Sequence, residues 1–329
     1  HVTTITCLTV LLISIFGIDL SLNYLISRNT SIIESTIDGD NVVNIEELNT
    51  YLQQMKDLLN TSIIYIRVKF NNGFIIKEEF FWAPYFSADN QIQLTLINVN
   101  GFQLSKNFAL QKILLDSVII KRSYMHFYDQ NSNVISMNKE KDNYSLCDEY
   151  IRAFYDLNDK LIGVNGLIDN FNGILHNVEI NTLGFLDCNF KNEICPLIFN
   201  RMTVKQLAFV KILNTYLWRN VLRFSKMNGT LLNDINIKPK DHNIRTKIES
   251  INMNDVYKID IDTQLVNENL FWALKSFYIS GCINSIEPGF FRNFDSLHFL
   301  EFQLYNIREF FHNSNNEWLG SINEHLNYN

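Results

Sequence analysis

Charge is sparse in this chain, and positive charge sparser still. Of 329 residues only 19% are Asp, Glu, Lys or Arg, with 28 basic against 35 acidic and a net charge of −7. No dense Lys/Arg cluster occurs. A nucleic-acid partner would need a basic stripe and an anionic membrane surface a polybasic patch, so neither is expected as an electrostatic partner. Catalytic signatures are missing as well: there is no H-E-x-x-H, no phosphate-binding G-x-x-x-x-G-K-[ST], no G-x-G-x-x-G, no G-x-S-x-G and no Cys/His set at zinc spacing. The seven histidines are scattered; His298 and His312 read as surface residues, and Gly163-Val-Asn-Gly166 as an ordinary turn. The chain reads as non-enzymatic, with no cofactor. Proline is scarce, at 4 residues.

What is present is apolar. Hydrophobic residues make up 47% of the chain and aromatics 13%, enough to fill one large core or two ordinary ones. The first residue is His1, so residues are expected to be missing before it. Val2 to Ile18 is an almost uncharged run, and its Leu8–Ile18 heart fits a secretory h-region, with Gly17 as a small residue before cleavage. A signal-anchor or a buried core helix is the alternative, the run being at the short edge of what spans a bilayer. No later run of that length exists.

Two further features point to export. Sequons occur at Asn29, Asn60, Asn143 and Asn228, none with Pro in the middle position. With Cys7 inside the apolar leader, the remaining cysteines form an even set, Cys147, Cys188, Cys195 and Cys282, whose three possible pairings sequence does not resolve. Cys188 and Cys195 form the shortest loop. An unpaired Cys282 is the competing reading.

Beyond the leader, 20–37 reads as irregular or helical, and 46–59 as an amphipathic helix with Leu48, Leu52, Met55 and Leu59 on one face. Thr36–Glu47 looks like a calcium-binding EF-hand loop. Asp38, Asp40, Asn44 and Glu47 take its third, fifth, ninth and twelfth positions, but Thr36 stands at the first-ligand position and Asn41 replaces the turn glycine. A polar turn capping the following helix is the plainer reading. From Ser62 the period shortens: 62–70, 92–99 and 115–120 alternate like strands.

The strongest pattern lies near the C-terminus. Leu297, Leu300, Phe302, Tyr305, Ile307 and Phe310 stand at the offsets of one leucine-rich repeat, and Leu274, Phe277, Ile279 and Cys282, then Ile286, Pro288, Gly289 and Phe291, make a looser copy. The apolar offsets 0, 3 and 5 recur from starts at Leu115, Leu175, Val204, Leu232 and Ile248. The long interval before Leu175 must hold an undetected repeat or an inserted loop.

Over 270–311, and more loosely over 172–270, the chain resembles extracellular leucine-rich-repeat proteins. It departs from them in its few true leucines, few ladder asparagines and lack of a Cys-rich C-terminal cap. The resemblance implies an α/β solenoid with one parallel strand per repeat and an irregular convex side. The expected organisation is a leader over 1–20, a helical capping segment over 21–60, the solenoid over 61–315 and a truncated tail over 316–329. A membrane anchor or cap would lie beyond the sequence given.

In such a strand, offsets 0, 3 and 5 point inward and the residues between them face outward. The mid-strand column is then Glu179, Ala208, Asn236, Asn252, Tyr278 and Glu301, with His298 and Lys275 beside it. Tyr, Asn and Glu in a line suit recognition of a protein or glycan. The expected function is therefore non-catalytic recognition outside the cell or at its surface. A structural or adhesive matrix glycoprotein is the alternative, and a calcium-binding module a more distant one.

Overall fold

The computed structural model describes residues 6–13, 19–27, 30–37, 63–76, 91–103, 113–128, 133–134, 178–190, 194–199, 202–211, 246–263, 265–266, 270–314 and 317–322. Among them, twelve strands form one sheet. Its first two neighbours are antiparallel: β1 (Thr6–Ile13) on β2 (Asp19–Ser27), and β2 on β3 (Thr30–Ile37). From β3 onward every pairing is parallel, running through β4 (Ile63–Ile76), β5 (Gln91–Gln103), β6 (Ile113–Lys121), β8 (Val178–Leu186), β9 (Thr203–Val210), β10 (Lys247–Ile261), β11 (Ser276–Ile286) and β12 (Phe299–Leu304). The short β7 (His126–Tyr128) pairs with β5 off this path. The fold is a parallel β-solenoid.

Its register follows from side-chain period. Along β4, Tyr65, Arg67 and Lys69 are exposed while Ile66, Val68 and Phe70 are buried, so consecutive residues serve opposite faces. Each coil then repeats the inward triplet in register with the last. Ile180 meets Val204, which meets Ile248; Leu183 meets Leu207, Ile251, Phe277 and Leu300 in turn; Phe185 meets Phe209, Met253, Ile279 and Phe302. All but Leu300 and Phe302 are buried, and those two pack on the same cluster. Burying a side chain of this size contributes about 1.5–3 kcal/mol, and no coil can do so alone.

The inward offsets 0, 3 and 5 thus hold for the starts at Val204, Ile248, Leu274 and Leu297, and offsets 3 and 5 for the coil of Leu115, where Val118 and Ile120 are buried. The start at Leu175 does not. Leu115, Val118 and Ile120 pair with Ile180, Leu183 and Phe185, so the frame of that coil begins five residues later. The start at Leu232 lies outside the described residues, and β9 and β10 are direct neighbours in the sheet. Likewise β6 lies directly on β8 in the sheet; most of the long interval between them lies outside the described residues. The stretch 20–37, read as irregular or helical, is mostly strand.

Five successive coils turn a corner at the end of the main strand on a residue with positive φ. Asn98, Arg122, Asp187, Lys211 and Asp255, with φ of 63°, 49°, 53°, 49° and 55°, occupy successive coils at this point. Arg122 N donates to Leu186 O, Asp187 N to Val210 O and Lys211 N to Asn254 O, so the corners are laddered like the strands. In the coil of β11 the corresponding corner is Ser280 followed by Gly281 (φ 132°). A Cβ on Gly281 would lie 2.1 Å from Val256 O, which explains a glycine there.

Among the described residues, the wall opposite the sheet carries little regular structure. Helix among the described residues is confined to α1 (Ile307–Asn313), α2 (Glu317–Ile322) and 3-10 turns at Pro196–Phe199 and Phe290–Asn293. The phrase Ile286-Glu-Pro-Gly-Phe-Phe builds this wall: Glu287 N donates to Ile261 O, and Phe290, Phe291 and Phe294 are buried. Of the stretch read as a truncated tail, residues 317–322 are described and form α2. Trp318 is buried with its ring 6.5, 5.7 and 5.8 Å from those of Phe291, Phe302 and Phe310.

Candidate binding face

On the outward face of the sheet, the residues between the inward triplets stack into rows. One row runs Arg67, Thr95, Ile119, Gly184, Ala208, Asn252, Tyr278 and Glu301, each paired with the next. A second runs Tyr65, Gln93, Ser117, Thr182, Gln206, Ser250, Ser276 and Phe299. The character of the face changes along the solenoid. In β4 it carries the cations Arg67 and Lys69; from β10 to β12 these two rows hold hydroxyls, amides, one carboxylate and aromatic rings, with no cation.

The polar side chains of β10–β12 are tied together. Asn254 Nδ2 donates to Asn252 Oδ1 at 2.7 Å, and Ser280 Oγ donates to Asn254 Oδ1 at 3.1 Å. The same hydroxyl accepts from Asp255 N at 3.2 Å. Tyr305 Oη donates to Asp255 Oδ1 at 3.1 Å, and Tyr278 Oη to Gln303 Oε1 at 3.0 Å. The Asp255 carboxylate holds the Tyr305 phenol above its ordinary pKa, since ionisation would both break that bond and set two negative charges side by side. At the rim, Glu249 bridges Lys247 at 2.6 Å and Lys275 at 3.2 Å. Hydrogen bonds from these two ammonium groups, Lys247 first, hold the Glu249 carboxyl below its usual pKa.

Of the residues picked from sequence, Asn252, Tyr278 and Glu301 do form one row, with Ala208 before them. His298 lies beside it, exposed, its backbone N donating to Lys275 O and its Nδ1 3.0 Å from Ser296 O. Glu179 does not belong. It sits at the start of β8 opposite Leu114 and Thr203, and Gly184 takes the place expected for it. That error follows from the misplaced frame at Leu175. Asn236 lies outside the described residues, as do Asp38, Asp40, Asn44 and Glu47 of the EF-hand-like loop, the helix over 46–59, Gly163–Gly166, and the sequons at Asn29, Asn60, Asn143 and Asn228.

Asn254, Asp255, Gln303 and Tyr305 were not singled out for this face. Tyr305 and Ile307 had been read as repeat positions, yet they are 59% and 60% exposed. The available signal was the adjacent Asn254-Asp255 pair, a composition that suits a left-handed corner.

No family model matches the chain. No curated protein and no solved structure matches it either.

The cysteines divide. Cys188 is free and buried, its Sγ donating to Ile120 O at 3.3 Å, and burial pushes its thiol pKa up to about 12. The short-loop pairing with Cys195 is therefore not formed. Cys282 is also free, at intermediate burial; Cys195 is buried and is not among the free thiols. With its frame begun at Ile180, the ninth residue of that coil is Cys188, and the ninth of the preceding coil is Ser123. The Ser123 hydroxyl accepts from Val99 N at 2.9 Å, so both side chains satisfy a backbone group of the coil before. No helix among the described residues is long and apolar enough to cross a membrane, and none of them form a group of three His, Cys, Asp or Glu suited to a metal.

Proposed function

We propose that the chain is a degenerate leucine-rich-repeat recognition protein, secreted or displayed at the cell surface, that binds a protein or glycan on the outward face of its sheet without catalysis. One observation carries this reading: across β10–β12 the outward side chains form a linked polar and aromatic surface that core packing does not require. The inward triplets already hold the coils together, whereas Tyr278, Gln303, Tyr305 and Asp255 bond to one another on exposed positions. The repeat type is supported by the inward 0, 3, 5 pattern and by ninth-position side chains, Ser123 and Cys188, that bond to the previous coil. In the coil of β12 the amide of Asn306, one position further on, also bonds the previous coil, donating to Ile283 O and accepting from Ile283 N, both at 3.0 Å.

Export is part of the proposal, supported by the apolar leader and the four sequons. A disulfide between Cys195 and Cys147 is proposed with it, since Cys188 and Cys282 are free and Cys7 stands on β1, separated from β8 by five strands in the sheet order. Expression in a secretory host, followed by N-glycan removal and a non-reducing peptide map, tests all three. An unglycosylated product retained in the cytosol would overturn export.

The binding role is tested by adding labelled full chain to cells and extracellular matrix. Saturable binding weakened by Tyr278→Ala and Glu301→Ala is the expected result. A structural or adhesive role is the second reading, favoured by β12 standing at the edge of the sheet with Phe299, Ile307 and Phe311 exposed nearby. Concentration-dependent oligomers with no saturable heterologous binding would select it.

A further inference from the structure

Within that recognition reading, we propose that the ligand is a neutral carbohydrate chain, seated across Asn252, Asn254, Asp255, Tyr278, Gln303 and Tyr305. A sugar ring offers an apolar C–H face and a rim of hydroxyls that both donate and accept. Its receptor needs flat apolar area beside planar amides and carboxylates, fixed in advance so that binding does not have to order them.

The six residues supply these parts. Tyr278 and Tyr305 are each anchored at the hydroxyl, by Gln303 Oε1 at 3.0 Å and Asp255 Oδ1 at 3.1 Å. Both rings are therefore held in place, and each presents an apolar body beside a polar tip. The chain of bonds from Asn252 through Asn254 and Ser280 to the Asp255 backbone N orients two amides, and the Tyr305 hydroxyl fixes the Asp255 carboxylate. That network uses one N–H of Asn254, the carbonyl oxygen of Asn252 and one oxygen of Asp255. It leaves the Asn252 amide N–H groups, the second N–H of Asn254 and the other Asp255 oxygen to a ligand. Room for a ring comes from Ser250 and Ser276, small residues one row away in the coils of Asn252 and Tyr278.

Charge selects among ligand classes. No cation stands in the two outward rows across β10–β12, and Lys247 and Lys275 at the rim are engaged by Glu249; Lys211 stands at the neighbouring corner, and Lys258 lies over the Tyr257 ring. Sulfated or sialylated glycans would meet the carboxylates of Asp255 and Glu301. A protein interface wants an apolar centre inside a polar rim. Here the arrangement is reversed, with hydroxyls and amides at the centre and Phe299 at the edge.

The test is a binding array of neutral hexose and N-acetylhexosamine oligosaccharides, with sulfated glycans, sialylated glycans and a lysine-rich peptide as further arms, probed with the purified full chain. We expect binding to a neutral oligosaccharide that survives about 1 M salt, where surface charge attraction is screened. It should weaken at least about tenfold in Tyr305→Ala and Asn252→Ala, each removing one ring or hydrogen-bonding group, and stay unchanged in Lys69→Ala. Gln303→Ala, exposed on the edge strand, serves should either main variant melt early. Failure to bind any neutral oligosaccharide overturns the inference, and so does binding indifferent to these substitutions. Salt-sensitive capture of the lysine-rich peptide on the same residues would replace the carbohydrate while leaving the recognition function standing. Self-association with no ligand in any arm would sink both.

Discussion

The Tyr305 hydroxyl is bonded to Asp255 Oδ1 at 3.1 Å, although 50 residues of chain lie between them. The bond joins the residue just past β12 to a corner two coils earlier, passing over Ser280. It is a contact only stacked coils could make.

Because ionisation of Tyr305 is disfavoured by Asp255, its folded pKa lies above its unfolded value. The associated stabilisation is complete below the ordinary tyrosine pKa and is lost as pH rises through the folded one. Ultraviolet titration should show a tyrosine ionising above the ordinary range, and Asp255→Asn should bring it back. An unchanged titration curve in that variant would contradict the assigned cause.

Glu249 works in the opposite sense. Its folded pKa lies below the unfolded value, so its contribution is present above the unfolded pKa and disappears as pH falls through the folded one. Glu249→Gln should lower the melting temperature slightly at neutral pH and not at all in strong acid. Being a rim interaction, it is worth at most about 1 kcal/mol, and added salt should shrink it. A variant equally destabilised at pH 2 and pH 7 would disprove the electrostatic origin.

Glycine substitution should discriminate between positions. At Gly281 a methyl group would meet Val256 O at 2.1 Å, on a backbone with φ of 132°. At Gly320, on α2, the same group finds nothing within 4 Å. Gly281→Ala should therefore destabilise by more than about 1 kcal/mol, while Gly320→Ala should be neutral or stabilise by about 0.5–1 kcal/mol. Denaturant melts of the two variants settle the comparison, and equal effects would mean the corner is not where the backbone is constrained.

Thiol chemistry offers a fourth check. With its pKa near 12 and full burial, Cys188 should resist alkylation in the native protein, whereas Cys282 should react first. Cys188→Ala leaves Ile120 O without its side-chain donor and opens a small void, costing about 1–3 kcal/mol. Peptide mapping after brief labelling reads out the order, and rapid native modification of Cys188 would refute the buried placement.

The inward triplets were legible in the sequence because aliphatic and aromatic residues recur at fixed offsets. The frame of one coil was not. Between Leu175 and Phe185 the chain offers Leu175, Val178, Ile180, Leu183 and Phe185, a 3-2-3-2 spacing into which two frames fit equally well. What separates them is Gly184, which leaves space for Ile119, and Cys188, which reaches Ile120 O. Both are contacts with a neighbouring coil, invisible along a single strand. Tyr305 misled for a related reason: its spacing suits the core, but it stands exposed just past β12 with its hydroxyl on Asp255. The corners were missed because Arg122 and Lys211 carry no turn signature; the ladder imposes positive φ on them.

The insertion points have a consequence of their own. Leu186 meets Val210 and Val210 meets Asn254 in the same register, though the second return takes nearly twice as much chain. Closing the longer excursion costs only about 0.6 kcal/mol more, because the entropy of ring closure grows logarithmically. Rim segments of this scaffold can therefore lengthen or shrink while the stacked rungs stay aligned, so new recognition loops can be grafted onto an unchanged frame.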